Sequence, residues 1–437
     1  MNWEILKETL ETANQLSENE FNKKNATGSV LGGGAALAAG IAVGITSLPL
    51  AVPILIVGGA FAGAAGEEKV KATGKVITDI FGEATKKIGS VLDFFKSDED
   101  FFYRGVEFLN KKQYVEAIED FTKAISINPK YANAYFLRGC IFSDTGDYQE
   151  AIKNYNKTIE IDPNRINAYI NRGHIFATLG DDLKAIADYS KSITIDTVNP
   201  DNLNVYLQRG NLFLKQKDYD KSLADYSQAI TLKSNFFEAY FMRGCLYLEL
   251  NKYKNAISDL SESIKIKPES IDCYSYRAEA YTAINANTNA LEDLTKVIKL
   301  NPSLINAYLK RANIYLKLKE YNQAIGDYTQ ALQQDSSCID AYYMRAFTKA
   351  KIGNLRSAIT DINEIIKIDP DYAAAYAQKG YIFKQKKEYK KAIKEFEIAI
   401  ELFSKKSMLD KVKLLQKEIN NIQQEIQNAP WWNKQIF

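Results

Sequence analysis

The chain has 437 residues and a formal net charge of +2, from 56 basic and 54 acidic residues that are intermixed along its length. Because no basic domain or tail stands out, nucleic acid is not an expected partner. The cysteines lie far apart, at positions 140, 245, 273 and 338, and His174 is the single histidine, so these residues form no local metal motif. We expect no enzyme, no catalytic or metal-binding residues and no cofactor, and reduced, packed cysteines favour a cytoplasmic location.

Residues 1–24 are predicted to form an amphipathic N-terminal helix. Trp3, Leu6, Leu10 and Ala13 recur at helical spacing, with charged residues between them. A membrane-surface helix would normally be more basic on its polar face, so a packing helix is favoured. The acidic residues ahead of the following apolar stretch also argue against a signal peptide.

Residues 25–66 contain no charged side chain and are predicted to form a Gly/Ala-rich hydrophobic hairpin. Pro49 and Pro53 divide the stretch, because two prolines so close together disfavour one continuous helix. Spacings of four, as in a glycine zipper, recur in both halves, at Gly40, Gly44, Gly59 and Gly63. Small residues at this spacing allow the close helix contact that packing inside a bilayer requires.

Two locations remain open for the hairpin. Lysines flank both ends, at 23, 24, 69 and 71, which favours two transmembrane helices with both ends on the cytoplasmic side. A helix of about seventeen residues, however, spans only ~26 Å of a ~30 Å hydrocarbon core, so burial in protein is the alternative. Residues 67–97 are predicted to form a connector helix that packs on the segment beginning at residue 98.

Residues 98–406 are organised around an aromatic residue that returns every 34 residues, with one step of 37. Its positions are Phe101, Tyr135, Tyr169, Tyr206, Tyr240, Tyr274, Tyr308, Tyr342 and Tyr376. Three residues later stands an arginine, or a lysine in the last case, and then a glycine or alanine. A fixed period of this length predicts nine repeats that bury their faces against their neighbours.

The second half of each repeat places a small residue four positions before a large one, as in Ala117 and Phe121. Residues four apart share a helix face, so this spacing predicts two packed antiparallel helices. We expect the glycine or alanine of the first helix to face the small residue of the second helix.

The pattern resembles the tetratricopeptide repeat (TPR) family in its aromatic, Gly/Ala, Ala and Pro positions. The resemblance implies an all-α fold: a right-handed TPR superhelix, or α-solenoid, of nine helix-turn-helix repeats, between the N-terminal hairpin region and a capping helix. It also implies a concave groove, lined by the first helices, that binds a peptide or protein. The matching positions are Asn171, His174, Gln208, Asn211, Lys310 and Asn313, with Met242, Tyr276, Met344 and Tyr381 as apolar contacts.

The repeated arginines have a repeated partner in the sequence. Sixteen residues after each repeated Arg or Lys lies an aspartate in seven repeats, Asn154 in the second and Glu395 in the ninth. Partly buried arginines need partners, so we expect a ladder of Arg–carboxylate pairs that holds the helices in register. The alternative is a row of arginines that binds an anionic ligand.

Residues 407–437 are predicted to form a capping helix and an aromatic tail. Apolar residues from Met408 to Ile426 alternate by four and three, which suits a helix that covers the end of the array, or alternatively a dimer seam. Trp431, Trp432 and Phe437 lie after Pro430, and large aromatics are seldom exposed without a use.

The sequence therefore predicts a non-enzymatic scaffold for a protein or peptide ligand, with membrane contact through residues 25–66 at the cytoplasmic face. One alternative is a pore-forming or membrane-disrupting effector in which the repeats act as sensor or regulator. Another is a soluble TPR adaptor with a buried hairpin. A homo-oligomer is compatible with all three.

Overall fold

The computed structural model describes residues 96–197 and 202–428. Within these ranges the chain forms nineteen α-helices and no strand. The first eighteen helices form consecutive pairs, numbered here 1 to 9, with a three-residue turn inside each pair. The chain divides into two compact units, and the first of them ends at Thr197.

The first compact unit contains pairs 1 to 3. Its helices are α1 (Asp98–Asn110), α2 (Tyr114–Ile127), α3 (Ala132–Asp144), α4 (Tyr148–Ile161), α5 (Ile166–Thr178) and α6 (Asp182–Ile195). Helix α1 begins with a capping box, in which the Ser97 hydroxyl accepts from the Asp100 amide and the Asp100 carboxylate accepts from the Ser97 amide. These bonds satisfy amides that a helix start otherwise leaves unpaired.

The second compact unit contains pairs 4 to 9 and a final single helix. Its helices are α7 (Asn202–Lys215), α8 (Tyr219–Leu232), α9 (Phe237–Glu249), α10 (Tyr253–Ile266), α11 (Ile271–Ala283), α12 (Asn287–Leu300), α13 (Ile305–Lys317), α14 (Tyr321–Gln334), α15 (Ile339–Lys351), α16 (Leu355–Ile368), α17 (Ala373–Gln385), α18 (Tyr389–Lys405) and α19 (Leu409–Asn428).

Several predicted features lie outside the described residues. They are the amphipathic helix of residues 1–24, the hairpin of residues 25–66 with its glycines and prolines, residues 67–95 of the connector, and the tail from residue 429. Among the helices that the structure describes, none combines the length and the apolar character needed to cross a bilayer.

The small residue of a first helix lies against the large residue of its partner helix. A Cβ atom added to Gly105 would lie 2.8 Å from a ring atom of Phe121, and one added to Gly380 would lie 2.5 Å from ring atoms of Phe396. The expectation that this glycine faces the small residue of the second helix is therefore wrong. At Gly105 and Gly380 the missing Cβ leaves room for a fully buried aromatic ring that lies directly on the backbone of the first helix.

The final helix α19 packs on pair 9. Leu415, Ile419 and Ile422 are buried, and they form one cluster with Leu402 and Phe403 near the end of α18. Val412 and Ile426 pack against the same cluster, so all of the apolar seam predicted for residues 408–426 except Met408 is used inside this compact unit. This arrangement supplies the cover that the end of a repeat array needs.

Candidate functional site

The predicted ladder of ion pairs is present, and it lies inside each helix pair. In pair 5, Arg243 donates from Nε to Asp259 Oδ2 at 2.7 Å and from Nη2 to Asp259 Oδ1 at 2.8 Å. The same pairing joins the repeated arginine to the repeated aspartate in pairs 1, 3, 4, 6, 7 and 8. All seven carboxylates are buried, so each needs the charge that faces it. The prediction of structural pairing is confirmed.

Most arginines also contact the preceding pair. Arg243 Nη1 donates to Ser227 Oγ at 2.8 Å, and Arg277 Nη1 donates to Ser261 Oγ at 2.9 Å. Equivalent contacts join Arg138 to Thr122, Arg172 to Asn156, Arg311 to Thr295 and Arg345 to Thr329. The guanidinium therefore ties two consecutive pairs together, and these side chains are not available as a row of anion-binding groups.

Pairs 2, 8 and 9 differ from the others. In pair 9 a lysine replaces the arginine, and Lys379 Nζ lies 3.0 Å from Glu395 Oε1. In pair 2, Arg138 faces the amide oxygen of Asn154 at 2.9 Å, and burial without a carboxylate partner lowers the pKa of Arg138. In pair 8, Lys349 joins Arg345 on the single carboxylate of Asp361, with Nζ 2.7 Å from Oδ2.

The predicted polar groove residues are partly used inside their own pairs. The hydroxyl of a second-helix tyrosine donates to the oxygen of an asparagine on the first helix: Tyr226 to Asn211 at 2.7 Å and Tyr328 to Asn313 at 2.6 Å. The amide nitrogens of both asparagines remain available as donors on the side away from the tyrosine. The sequence pattern placed these asparagines on the right helix without indicating this internal bond.

His174 occupies the equivalent position in pair 3. Its Nδ1 lies 2.8 Å from the hydroxyl of Tyr189, which is buried. The outer side of the ring is exposed, but desolvation of the edge that faces Tyr189 lowers the pKa of the imidazole. Burial also raises the pKa of Tyr189, so a protonated hydroxyl faces a neutral ring at this position.

Neighbouring first helices touch through these same positions. Asn171 Nδ2 lies 3.6 Å from the sulfur of Cys140, and Lys310 Nζ lies 3.2 Å from Glu279 Oε2. The cysteine is unreactive, because burial raises the pKa of Cys140 to about 12. Of the remaining predicted residues, Gln208, Tyr276 and Tyr381 are exposed, and Met242 and Met344 are half-buried.

A cavity, which we call the terminal cavity, lies between α15, α17 and α19. Its volume is about 670 Å³, within the range of ligand pockets. Large apolar side chains line it with unusual exposure: Phe347 at 38%, Tyr381 at 39%, Met408 at 45% and Leu414 at 49%. Lys351 and Lys411 also line the cavity, and no aspartate or glutamate is among its described lining residues. In the described ranges, no cluster of histidine, cysteine, aspartate and glutamate could hold a metal ion.

The helix pairs share two features: a glycine or alanine lies against a large residue, and in most pairs an arginine binds an aspartate. Family models match these pairs over more than half of the chain. Models described as "Tetratricopeptide repeat" match residues 100–131, 121–153, 166–199, 237–270, 305–338, 339–372 and 373–406, and one described as "TPR repeat" matches 139–180 and 210–250. The chain is a tetratricopeptide repeat protein. Residues 271–304 lie outside the matched ranges, so the count of nine TPR repeats stays a prediction.

Parts of this TPR chain are similar to solved structures of other TPR proteins. YrrB, titled a TPR protein with an unusual peptide-binding site, is 22% identical, with 43% of this chain and 95% of that chain covered and a TM-score of 0.38. The C-terminal part of a TPR repeat-containing protein from Cytophaga hutchinsonii is 21% identical, with coverages of 55% and 97% and a TM-score of 0.48. Yeast Tom70 is 15% identical, with coverages of 78% and 98% and a TM-score of 0.36.

No curated protein matches this TPR chain. TPR proteins are typically non-enzymatic scaffolds for protein interactions.

Proposed function

We propose that the chain binds a protein or peptide along the exposed side of its first helices and performs no chemistry. The observation that carries this proposal is the contact between successive first helices through the predicted positions, as between Lys310 and Glu279 and between Tyr276 and Phe241. Such contacts make a continuous surface across neighbouring repeats within a compact unit, which an extended ligand needs.

The chemistry of this surface suits a polypeptide backbone. Tyrosine hydroxyls hold the amide oxygens of Asn211 and Asn313, so the Nδ2 groups face outward as oriented donors. His174 uses Nδ1 for its contact with Tyr189, which leaves the second ring nitrogen, Nε2, for a ligand. Fixed donors can bind peptide carbonyls at a small entropic cost, while Met242 and Met344 add adaptable apolar contact.

A site-specific photo-crosslinker tests this function in the full chain expressed in its source cells. Gln208 is exposed on α7 and Asp220 is exposed on α8 of the same pair, so the two positions differ mainly in the helix that presents them. A crosslinker at Gln208 should capture a discrete protein partner, and one at Asp220 should not. Equal capture at both positions, or none at either, would remove the proposed surface.

We also propose that residues 25–66 attach this scaffold to the cytoplasmic face of a membrane. The 42-residue stretch has no charge and has lysines near both ends, at 23, 24, 69 and 71, which supports a hairpin with cytoplasmic ends. Carbonate extraction should leave the full chain in the membrane fraction and release a chain without residues 25–66. Release of both would favour a soluble adaptor with a buried hairpin, and dye leakage from liposomes would favour a pore former.

A further inference from the structure

We propose that the terminal cavity binds a protein segment that places large apolar side chains beside a carboxylate. The inference rests on the proposed scaffold function and names the partner chemistry at one end of the array. It depends on three observations: exposed aromatic side chains, among them a tyrosine whose hydroxyl has no hydrogen-bond partner in the described residues, two lysines without a carboxylate, and a final helix that leaves the cavity open.

In the described part of the chain, the hydroxyl of Tyr381 lacks a hydrogen-bond partner because the second helix of its own pair offers none. In pairs 4 and 7 a second-helix tyrosine binds the first-helix residue at the equivalent position. In pair 9 that first-helix residue is Tyr381, and it faces Phe396, which has no hydroxyl, at a ring distance of 5.0 Å. The Tyr381 hydroxyl has no hydrogen-bond partner among the described residues, and 39% of the residue is exposed. Tyr381 therefore offers both an apolar surface and a polar tip to a ligand.

The two lysines that line the cavity favour an occupant with a negative charge. Lys351 lies over the Phe347 ring at 5.2 Å, and neither Lys351 nor Lys411 forms an ion pair with a described carboxylate. Two unpaired cations at the edge of an apolar surface attract an acidic segment and disfavour a basic one.

The final helix does not fill the opening. Its buried residues, Leu415, Ile419 and Ile422, face pair 9, whereas Met408 and Leu414 remain about half exposed at the cavity. A cluster of exposed apolar side chains with a charged rim is typical of a protein-binding site. Methionine at such a surface can adjust to side chains of different shape.

Fluorescence polarisation with two labelled synthetic peptides tests the assignment on the full chain. The acidic probe is Gly-Asp-Leu-Phe-Asp-Leu-Gly, and the basic probe has lysine in place of both aspartates. The acidic probe should bind, and the basic probe should bind at least about tenfold more weakly, which corresponds to ~1.4 kcal/mol of binding free energy.

Lys411→Glu should remove most of this preference, because it leaves one cation and one anion at the cavity. Lys413→Glu is the matched control, because Lys413 is exposed on the same helix but does not line the cavity. This control should leave both affinities within about twofold, well inside the tenfold criterion. Tyr381→Ser should weaken binding of the acidic probe while thermal melting shows a folded chain. No binding of either probe, or equal effects of the two lysine substitutions, would overturn the inference.

Two other occupants would give different results. If removal of residues 429–437 raises the affinity for the acidic probe at least about tenfold, the chain's own tail occupies the cavity, and the proposal fails. If probe binding weakens as the protein is concentrated, a second copy competes for the cavity, and the proposal fails as well. Failure here together with a partner captured at Gln208 would leave the scaffold function intact. If no probe binds at the terminal cavity and no partner is captured at Gln208, both the inference and the proposed scaffold function fail.

Discussion

Arg243 binds both carboxylate oxygens of Asp259 in parallel, through Nε at 2.7 Å and Nη2 at 2.8 Å. The hydrogen bonds to Asp259 raise the pKa of Arg243, so the guanidinium is protonated at every ordinary pH. The aspartate is buried, and the arginine is the cation that compensates its charge. Removing one partner should therefore lower the free energy of unfolding more than removing both does, and this difference can be measured.

Arg243→Leu should destabilise the chain by about 1–3 kcal/mol, because Asp259 would stay buried without a cation. Arg243→Leu combined with Asp259→Leu should cost less than the single change. Chemical denaturation followed by circular dichroism measures both. Arg356→Leu is the control, since Arg356 is exposed on α16, and it should change stability by no more than about 0.5 kcal/mol. Equal losses for Arg243→Leu and Arg356→Leu would show that the pair contributes nothing.

Asn154→Asp should stabilise pair 2 by about 1 kcal/mol, because it would give Arg138 the carboxylate that seven other repeats have. Asn154 now donates from Nδ2 to the Glu150 carbonyl at 2.8 Å, and loss of this bond offsets part of the gain. The midpoint of urea unfolding should rise, and the rise should survive in high salt because the residue is buried. A lower midpoint would mean that the lost amide bond outweighs the new charge pair.

Gly380→Ala should destabilise the chain by about 1–3 kcal/mol, because its Cβ would lie 2.5 Å from the Phe396 ring. Adding Phe396→Leu should recover part of the loss, since pair 6 naturally combines Ala278 with Leu294. Gly326→Ala is the control, because a Cβ there would meet nothing within 4 Å. Thermal unfolding of the three variants measures the coupling, and a double variant no better than Gly380→Ala would contradict the steric explanation.

The stability of the chain should fall as the pH drops from 7 toward 5 through His174. Its pKa is lower in the folded chain than the ordinary 6.5, so below that value the unfolded chain binds a proton that the folded chain does not. Stability contributed by the neutral ring is therefore present above pH 6.5 and is lost as the pH falls toward the folded pKa. His174→Asn, which reproduces Asn211 of pair 4, should remove this part of the pH dependence. Parallel stability profiles for the two proteins would show that His174 does not titrate differently on folding.

The helix pairs and the ion-pair ladder could be predicted because both depend on spacing alone. A period of 34 and an offset of sixteen between Arg243 and Asp259 already place the two residues on partner helices. The backward contact to Ser227 was missed, although a signal for it exists: a short polar residue stands two positions after the aspartate in most repeats.

Other features could not be read from spacing. Ala256 and Leu260 share one helix face, so the sequence did not show which of them meets Gly244, and the structure places Leu260 there. The terminal cavity depends on how far α19 stands from α15, a distance that no local pattern encodes. The internal bonds of Asn211 and Asn313 depend on the reach of a tyrosine hydroxyl across two helices.

The backward contact of the arginine recurs at six junctions between described pairs, with a serine, threonine or asparagine as the acceptor. Arg277 now meets Ser261, and Arg311 meets Thr295. If recombination removed residues 271–304, Arg311 would come directly after pair 5 and would meet Ser261 in the same geometry. Loss or gain of a whole repeat at such a junction would therefore keep this hydrogen bond, so the number of repeats can change without losing it.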